Sequence, residues 1–219
     1  MSSKEFIDLS IRLGWLKQHL LPFRFDATGT YHFAEKVIIR ASAYRVLCHA
    51  EFESYIEGRA ITVAMRALER WKKDGFYSAP LMAMVAFCDT KMPRPPEYVQ
   101  PKPKDQKDWD DLVSPNKRIE RAVRQFVNSV EEENHGIREK NLLRVLIPIG
   151  VDLRELKAAD LADIDNFGKA RGSAAHNSSV AYVKSGLDPR SEFDRVSRVL
   201  RCFSDIDALL DKAAASIEP

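Results

Sequence analysis

The stretch FAEKVIIRASAYRVLCHAEFESYIE, residues 33–57, decides the fold of this chain. It contains no proline, and its apolar residues recur at steps of three and four, the spacing that places side chains on one face of an α-helix. These residues are Val37, Ile38, Ala41, Tyr44, Leu47, Phe52, Tyr55 and Ile56. Gly58 either ends this helix or only weakens it, because residues 59–73 remain helix-favouring.

The rest of the chain has the same helical periodicity. We predict helices over residues 4–21, 81–88 (starting at Ser78–Pro80), 116–134, 138–147 and 153–157. Asp160 is predicted to be the N-cap of a helix towards His176, with Asp163 in the capping-box position. A last helix starts at Asp188–Pro189 or at Ser191. No convincing run of alternating apolar residues is found, so the fold class is all-α, a bundle of about six to eight helices.

One region interrupts the helical pattern. Residues 91–115 contain six prolines among Lys and Asp, which disfavours any packed element, so we predict a long proline-rich loop exposed on the surface. Such loops are often functional, and the alternative is a tolerated surface insertion. With this loop included, residues 1–219 are predicted to form a single domain, as their number allows.

The composition excludes several classes of protein. Lys and Arg number 34 against 32 Asp and Glu, a net charge of +2, which excludes a polycationic coat protein but leaves room for a local basic patch. The three cysteines lack C-x-x-C spacing, and the five histidines lack ligand spacing, so we expect no metal and no cofactor. The longest apolar run, residues 81–88, is too short for a bilayer. We therefore expect a cytoplasmic protein without membrane contact.

The strongest candidate for a functional site is RGSAAH, residues 171–176. Arg171 and His176 lie near the end of a predicted amphipathic helix, and the residues between them are small, which leaves the backbone open. A structural histidine of the core would more often stand among Leu or Phe. The following polar residues, Asn177 to Ser179, favour an exposed position for the pair.

The stretch Leu161-x-x-Ile164-x-x-Phe167-x-x-x-Arg171-x-x-x-Ala175-His176 resembles the signature of HEPN domains, which are all-helical and carry an R-x(4–6)-H motif. The upstream segment HAEFESYIE, residues 49–57, is similar to the acidic-aromatic helix of the bacterial RiboL-PSP-HEPN group. Together the two similarities cover roughly residues 35 to 210. Gly172 stands where many members of the family have Asn or Asp, and Ser178 where a related subgroup has Tyr.

The resemblance implies a metal-independent endoribonuclease that works as a homodimer with its active site at the dimer interface. His176 is the expected base that removes the proton of the RNA 2′-hydroxyl, and Arg171 is the expected partner of the phosphate oxygens. The products would be a 2′,3′-cyclic phosphate and a 5′-hydroxyl. Family members of this kind commonly serve as toxins or in anti-phage defence, which implies a possible antitoxin or regulatory partner.

Helix geometry supports the expectation of a dimer. Five residues of an ideal helix turn about 500°, so Arg171 and His176 would point about 140° apart. They can share one phosphate if the arginine curls round, if the helix bends at Gly172 or if a partner chain completes the site; we favour the last two together. The second chain would also supply the proton donor that a single histidine does not.

Further residues are candidates for support or for RNA binding. Glu53 and Glu57 lie one helical turn apart and are candidates for orienting Arg171, the alternative being a solvated helix face. Ser173 within the motif and Asn177 directly after it are further candidates for support. The predicted RNA-binding residues are the cations at the start of one helix, where they oppose the helix dipole, and these are Lys117, Arg118, Arg121 and Arg124.

Two other functions remain open. The first is a catalytically inactive HEPN-like module that binds RNA or a protein, which the glycine at position 172 favours. The second is a helical interaction protein such as an antitoxin or an immunity factor.

Overall fold

The computed structural model describes residues 2–31, 33–88, 99–100, 113–176 and 187–218, without the side chains of residues 172–176. These residues form seven α-helices and two short 3₁₀-helices, and no strand occurs among them, so the predicted all-α bundle of six to eight helices is confirmed. The α-helices are α1 (Lys4–Leu20), α2 (Ala34–Asp74), α3 (Ala79–Phe87), α4 (Pro115–Glu133), α5 (Glu139–Leu146), α6 (Ala158–His176) and α7 (Pro189–Ala215). The 3₁₀-helices are Ile147–Ile149 and Leu153–Glu155.

Helix α2 is the centre of the bundle. It has 41 residues and contacts each of the other six α-helices. Gly58 lies inside it, so the helix continues through this position. An interior glycine costs about 1 kcal/mol relative to alanine. Fully buried Phe52 and Ile56 before it and Val63 after it each contribute about 1.5–3 kcal/mol, which outweighs that cost.

The helix starts are set by short polar side chains. The Oγ atoms of Ser78 and Ser114 accept hydrogen bonds from backbone N–H groups in the first turns of α3 and α4, and both helices have proline in that turn. Asp188 caps α7 in the same way, which decides between the two predicted starts of that helix. Helix α4 begins at Pro115, the last residue of the predicted loop at 91–115, and Val113 is also helical; of this loop, only 99–100 and 113–115 lie within the described residues.

One predicted cap is wrong. Helix α6 begins at Ala158, and Asp160 lies inside its first turn instead of at the N-cap. The backbone N–H of Leu161 already donates to the carbonyl of Lys157, 3.1 Å away. Two alanines extend the helix to this earlier start, and a carboxylate in the first turn is favoured by the helix dipole. In the part of the chain that the structure describes, no helix is both long and apolar enough to cross a membrane.

Candidate functional site

The candidate site lies where the C-terminal end of α6 packs on α2 and α7. Phe167 is fully buried and fixes this end of the helix. Its ring centroid lies 6.0 Å from that of Phe52 and 6.0 Å from that of the His49 imidazole, both on α2. Four residues further along, about one turn, α6 reaches Arg171.

A buried ion pair joins the three helices just before Arg171. Arg45 of α2 donates from Nε to Oε2 of Glu192 over 2.7 Å and from Nη2 to Oε1 over 2.6 Å. Its Nη1 donates to the carbonyl oxygen of Ala170 over 3.2 Å. Both charged side chains are more than nine-tenths buried. This bidentate pair holds the carbonyl end of α6 against α2 and α7.

Arg171 differs from the other arginines whose Nε atom is buried without a partner. Its Nε is buried without a hydrogen-bond partner, and no carboxylate pairs with its guanidinium among the described residues. The Nε atoms of Arg59 and Arg70 are also unpartnered, but Arg59 pairs with Asp211 and Arg70 with Asp74. Among the described residues, the positive charge of Arg171 therefore has no carboxylate beside it, and such a guanidinium is suited to binding an anion.

His49 lies in the same corner of the bundle. It is 2% exposed, and its Nδ1 has no hydrogen-bond partner. Oε2 of Glu53 lies 3.6 Å from Nδ1, too far for a hydrogen bond. Burial and, secondly, the positive charge of Arg171 lower the pKa of His49 to about 4, so these two causes outweigh the nearby carboxylate. His49 is therefore neutral at pH 7.

Backbone packs directly against the His49 ring. Gly136 has a φ of +110°, and a Cβ at this position would lie 3.4 Å from Cε1 and 3.5 Å from Nε2 of His49. A side chain here would be strained by the left-handed φ and crowded by the imidazole. The loop that follows α4 therefore lies directly against one edge of the His49 ring.

The two predicted acidic residues have different surroundings. Glu57 accepts a hydrogen bond of 2.6 Å from Nδ2 of Asn134, and burial raises its pKa. Asn134 also donates to the carbonyl of Gly136, so Glu57 supports the loop next to His49. Glu53 is half-buried beside His49. Within the described residues, neither carboxylate forms an ion pair with Arg171.

The remaining predicted residues of the motif are only partly described. Ser173 and His176 lie in the last turn of α6, which runs without a break from Ala158 to His176. Their side chains are outside the described part of the chain, and so is Asn177 altogether. In the described ranges, no three His, Cys, Asp or Glu side chains are grouped to hold a metal ion.

The predicted RNA-binding cations lie far from Arg171 within one chain. All four are exposed in the first half of α4, namely Lys117, Arg118, Arg121 and Arg124. This part of α4 is next to the C-terminal end of α2, where Trp71 donates to Asn116 over 3.1 Å and Lys72 pairs with Glu120 over 3.0 Å. That end of α2 is about 23 residues from His49, or about 35 Å along the helix.

A second basic set lies closer to Arg171. Arg195 and Arg198 of α7 line a groove whose opposite wall is Asn166 and Ala170 of α6. Arg195 stands 3.5 Å from Glu192, whereas Arg198 is exposed without an ion pair in the described part of the chain. The groove therefore brings two positive charges close to Ala170, the residue that precedes Arg171.

The sequence predicts Arg195, Arg198 and Arg201 as a second basic set that could contact RNA, but neither their position beside α6 nor the role of His49 is part of the sequence-based site. His49 has a usable signal, because it follows Arg45 by four residues on the otherwise apolar face of α2, and two polar residues so placed indicate a polar pocket. The groove arginines repeat at helical spacing, but only the packing of α6 on α7 brings them to the Arg171 end.

The fold and the site together define an all-α bundle in which an arginine without a carboxylate partner among the described residues lies near a buried neutral histidine. In comparisons with known proteins, no family model, no curated protein and no solved structure matches the chain.

Proposed function

We propose that this chain is a metal-independent endoribonuclease of the HEPN type, which cleaves RNA through its own 2′-hydroxyl. The observation that carries the proposal is Arg171, a half-buried arginine without a carboxylate partner among the described residues, five positions before His176 on the same helix. The resemblance of residues 161–176 to the HEPN signature supports the same conclusion.

The proposed reaction needs two proton transfers and one site for negative charge. His176 takes the proton of the 2′-hydroxyl, the 2′-oxygen attacks phosphorus, and the bond from phosphorus to the 5′-oxygen breaks. The departing oxygen receives a proton from a second group, which gives a 2′,3′-cyclic phosphate and a 5′-hydroxyl. Arg171 stabilises the negative charge of the pentacovalent phosphorane through its planar donor fork.

We propose a homodimer with the active site at its interface. Because α6 is helical throughout residues 171–176, the two motif residues leave the axis about 140° apart, and two chains facing each other would place an arginine of one near a histidine of the other. The exposed cations of α4, about 35 Å from His49 along α2, would then bind RNA beyond the cleavage site. Arg195 and Arg198 would bind the backbone next to it.

Incubation of RNA with the purified chain in EDTA tests the activity. We expect cleavage with cyclic-phosphate ends, identified by mass spectrometry, and loss of cleavage in His176→Ala with the helical content retained. An equally active His176→Ala, or intact RNA under varied salt and pH, would overturn the assignment. Salt-sensitive RNA binding without cleavage would instead favour the inactive HEPN-like binding module.

The biological role is proposed from the resemblance alone. It is that of a toxin or an anti-phage effector, neutralised by an antitoxin or regulatory protein. Cys48 and Cys202 are buried free thiols, which supports a reducing compartment such as the cytoplasm. Toxicity on expression that Arg171→Ala relieves is the expected result, and harmless expression of the intact chain would favour the interaction-protein alternative.

A further inference from the structure

Two buried polar groups without hydrogen-bond partners occupy one corner of the bundle. One is Nδ1 of His49 on α2 and the other is Nε of Arg171 on α6. Buried polar atoms are satisfied in the great majority of cases, so an unsatisfied pair within electrostatic reach of each other requires an explanation. Since both atoms are donors or can be donors, an anion is the kind of ligand that both groups would stabilise at this corner of the bundle.

The other charged groups around His49 have partners of their own. On α2, Arg45 is occupied by Glu192 of α7, and Glu57 is hydrogen-bonded to Asn134. On the loop and α6, Arg138 pairs with Asp165 over 3.1 Å.

Two titratable groups complete the surroundings of His49. His135 of the loop is exposed, and Glu53 stands 3.6 Å from Nδ1 of His49 without a hydrogen bond. Among the described residues, Arg171 is thus the positive charge near His49 that no carboxylate pairs with, and Glu53 is the carboxylate near His49 without a cationic partner.

We propose that His49 and Arg171 form a proton-coupled site for a phosphodiester anion, in which binding of the anion at Arg171 makes His49 take up a proton. In the ribonuclease proposed above, on which this inference rests, His49 is a positioning residue that adds a second positive charge when the phosphate is bound.

The coupling follows from elementary electrostatics. In the free protein, burial and the guanidinium charge both disfavour protonation of His49, and its pKa is about 4. An anion at Arg171 offsets the second cause and adds an attraction of its own for the imidazolium. The pKa of His49 therefore rises when the anion binds, and by linkage a proton enters from solvent.

Calorimetry measures this proton directly. A single-stranded oligodeoxynucleotide is the probe, because it carries the phosphodiesters but has no 2′-hydroxyl to be cleaved. Titrations at pH 5.5 in two buffers of different ionisation enthalpy give the number of protons taken up on binding. We expect net uptake in the wild-type chain and in His176→Ala, and a loss of at least half of it in His49→Gln.

Matched controls make the result specific. Arg154, an exposed arginine paired with Asp152, is the control for charge, and Arg154→Gln should leave the uptake unchanged. His49→Asn is the second variant if His49→Gln does not fold. No binding of the oligodeoxynucleotide, no uptake in the wild type, or the same uptake in the His49 variants would each overturn the proposal.

The outcome is separable from that of the proposed function. Proton uptake through His49 without any RNA cleavage would refute the ribonuclease and retain the coupled anion site. RNA cleavage that depends on His176, without proton uptake through His49, would retain the ribonuclease and refute the coupled anion site.

Discussion

Arg45 and His49 stand one turn apart on the same helix and face the same neighbour, yet their surroundings are opposite. Arg45 has a bidentate carboxylate and a backbone carbonyl as partners. His49 has no partner for Nδ1, and Arg171 across from it has none for Nε. The first group has hydrogen-bond partners for its charged atoms, whereas the second pair has two buried nitrogen atoms without a partner and, among the described residues, a positive charge without a carboxylate.

This difference separates a structural site from a functional one. A satisfied buried ion pair holds helices in place, and breaking it costs stability. A buried group that the fold leaves unsatisfied lowers stability, and such groups concentrate where a ligand completes the hydrogen bonding. The two sites should therefore respond to substitution in opposite ways.

The largest expected effect is on stability at the satisfied site. Arg45→Met removes the bidentate partner of buried Glu192, which keeps only Arg195 at 3.5 Å, and should lower the free energy of unfolding by about 3 kcal/mol. Urea denaturation followed by circular dichroism measures this. Arg190→Met, which breaks an exposed pair with Asp194, is the control and should cost at most about 1 kcal/mol. Similar losses in both variants would contradict the structural role of Arg45.

The next effect is the acid sensitivity of the unsatisfied site. The folded pKa of His49 is about 4, below the 6.5 of an unperturbed histidine, so the unfolded chain binds the proton first. Stability from neutral His49 is present above pH 6.5 and should fall by about 3 kcal/mol on going to pH 4. Urea denaturation at four pH values compares the wild type with His49→Gln, which lacks this part of the loss. If the free energy of unfolding falls by the same amount with pH in the wild type and in His49→Gln, His49 does not titrate as stated.

The smallest effect concerns Glu53. Because its carboxylate is outside hydrogen-bond distance of His49, Glu53→Gln should change the pH dependence of unfolding between pH 7 and pH 4 by no more than about 0.5 kcal/mol. The same denaturation series measures this. A clearly steeper loss of stability in Glu53→Gln would mean that an ion pair holds His49, and the two sites would then be of the same kind.

The bundle itself is predictable from the sequence, because its helices are long and their apolar periodicity is strong. The starts of α3 and α7 follow from local capping chemistry, because the N-caps Ser78 and Asp188 depend on only a few neighbouring residues. The start of α6 does not follow, because several residues compete there and two alanines move the helix start ahead of Asp160. The passage of α2 through Gly58 depends on burial on both sides, which only the tertiary structure determines.

The candidate site is predictable only in part. The motif singles out Arg171 because of its spacing from His176, but the absence of a carboxylate partner for it in the described part of the chain is a property of packing. His49 looks like any polar residue of a helix until α6 and the loop at Gly136 are placed against it. The predicted role of Glu57 in orienting Arg171 stays a prediction, while its hydrogen bond to Asn134 is visible only in three dimensions.

The most direct test measures stability and RNA cleavage together in Arg171→Gln. We expect the free energy of unfolding to stay within about 1 kcal/mol of the wild type, because Arg171 has no ion pair with any described residue, and cleavage to fall by about a hundredfold or more. Urea denaturation and a gel assay of RNA on the same preparation give both numbers. A loss of stability as large as that of Arg45→Met, or unchanged cleavage by a wild type that does cut RNA, would contradict the functional role of Arg171.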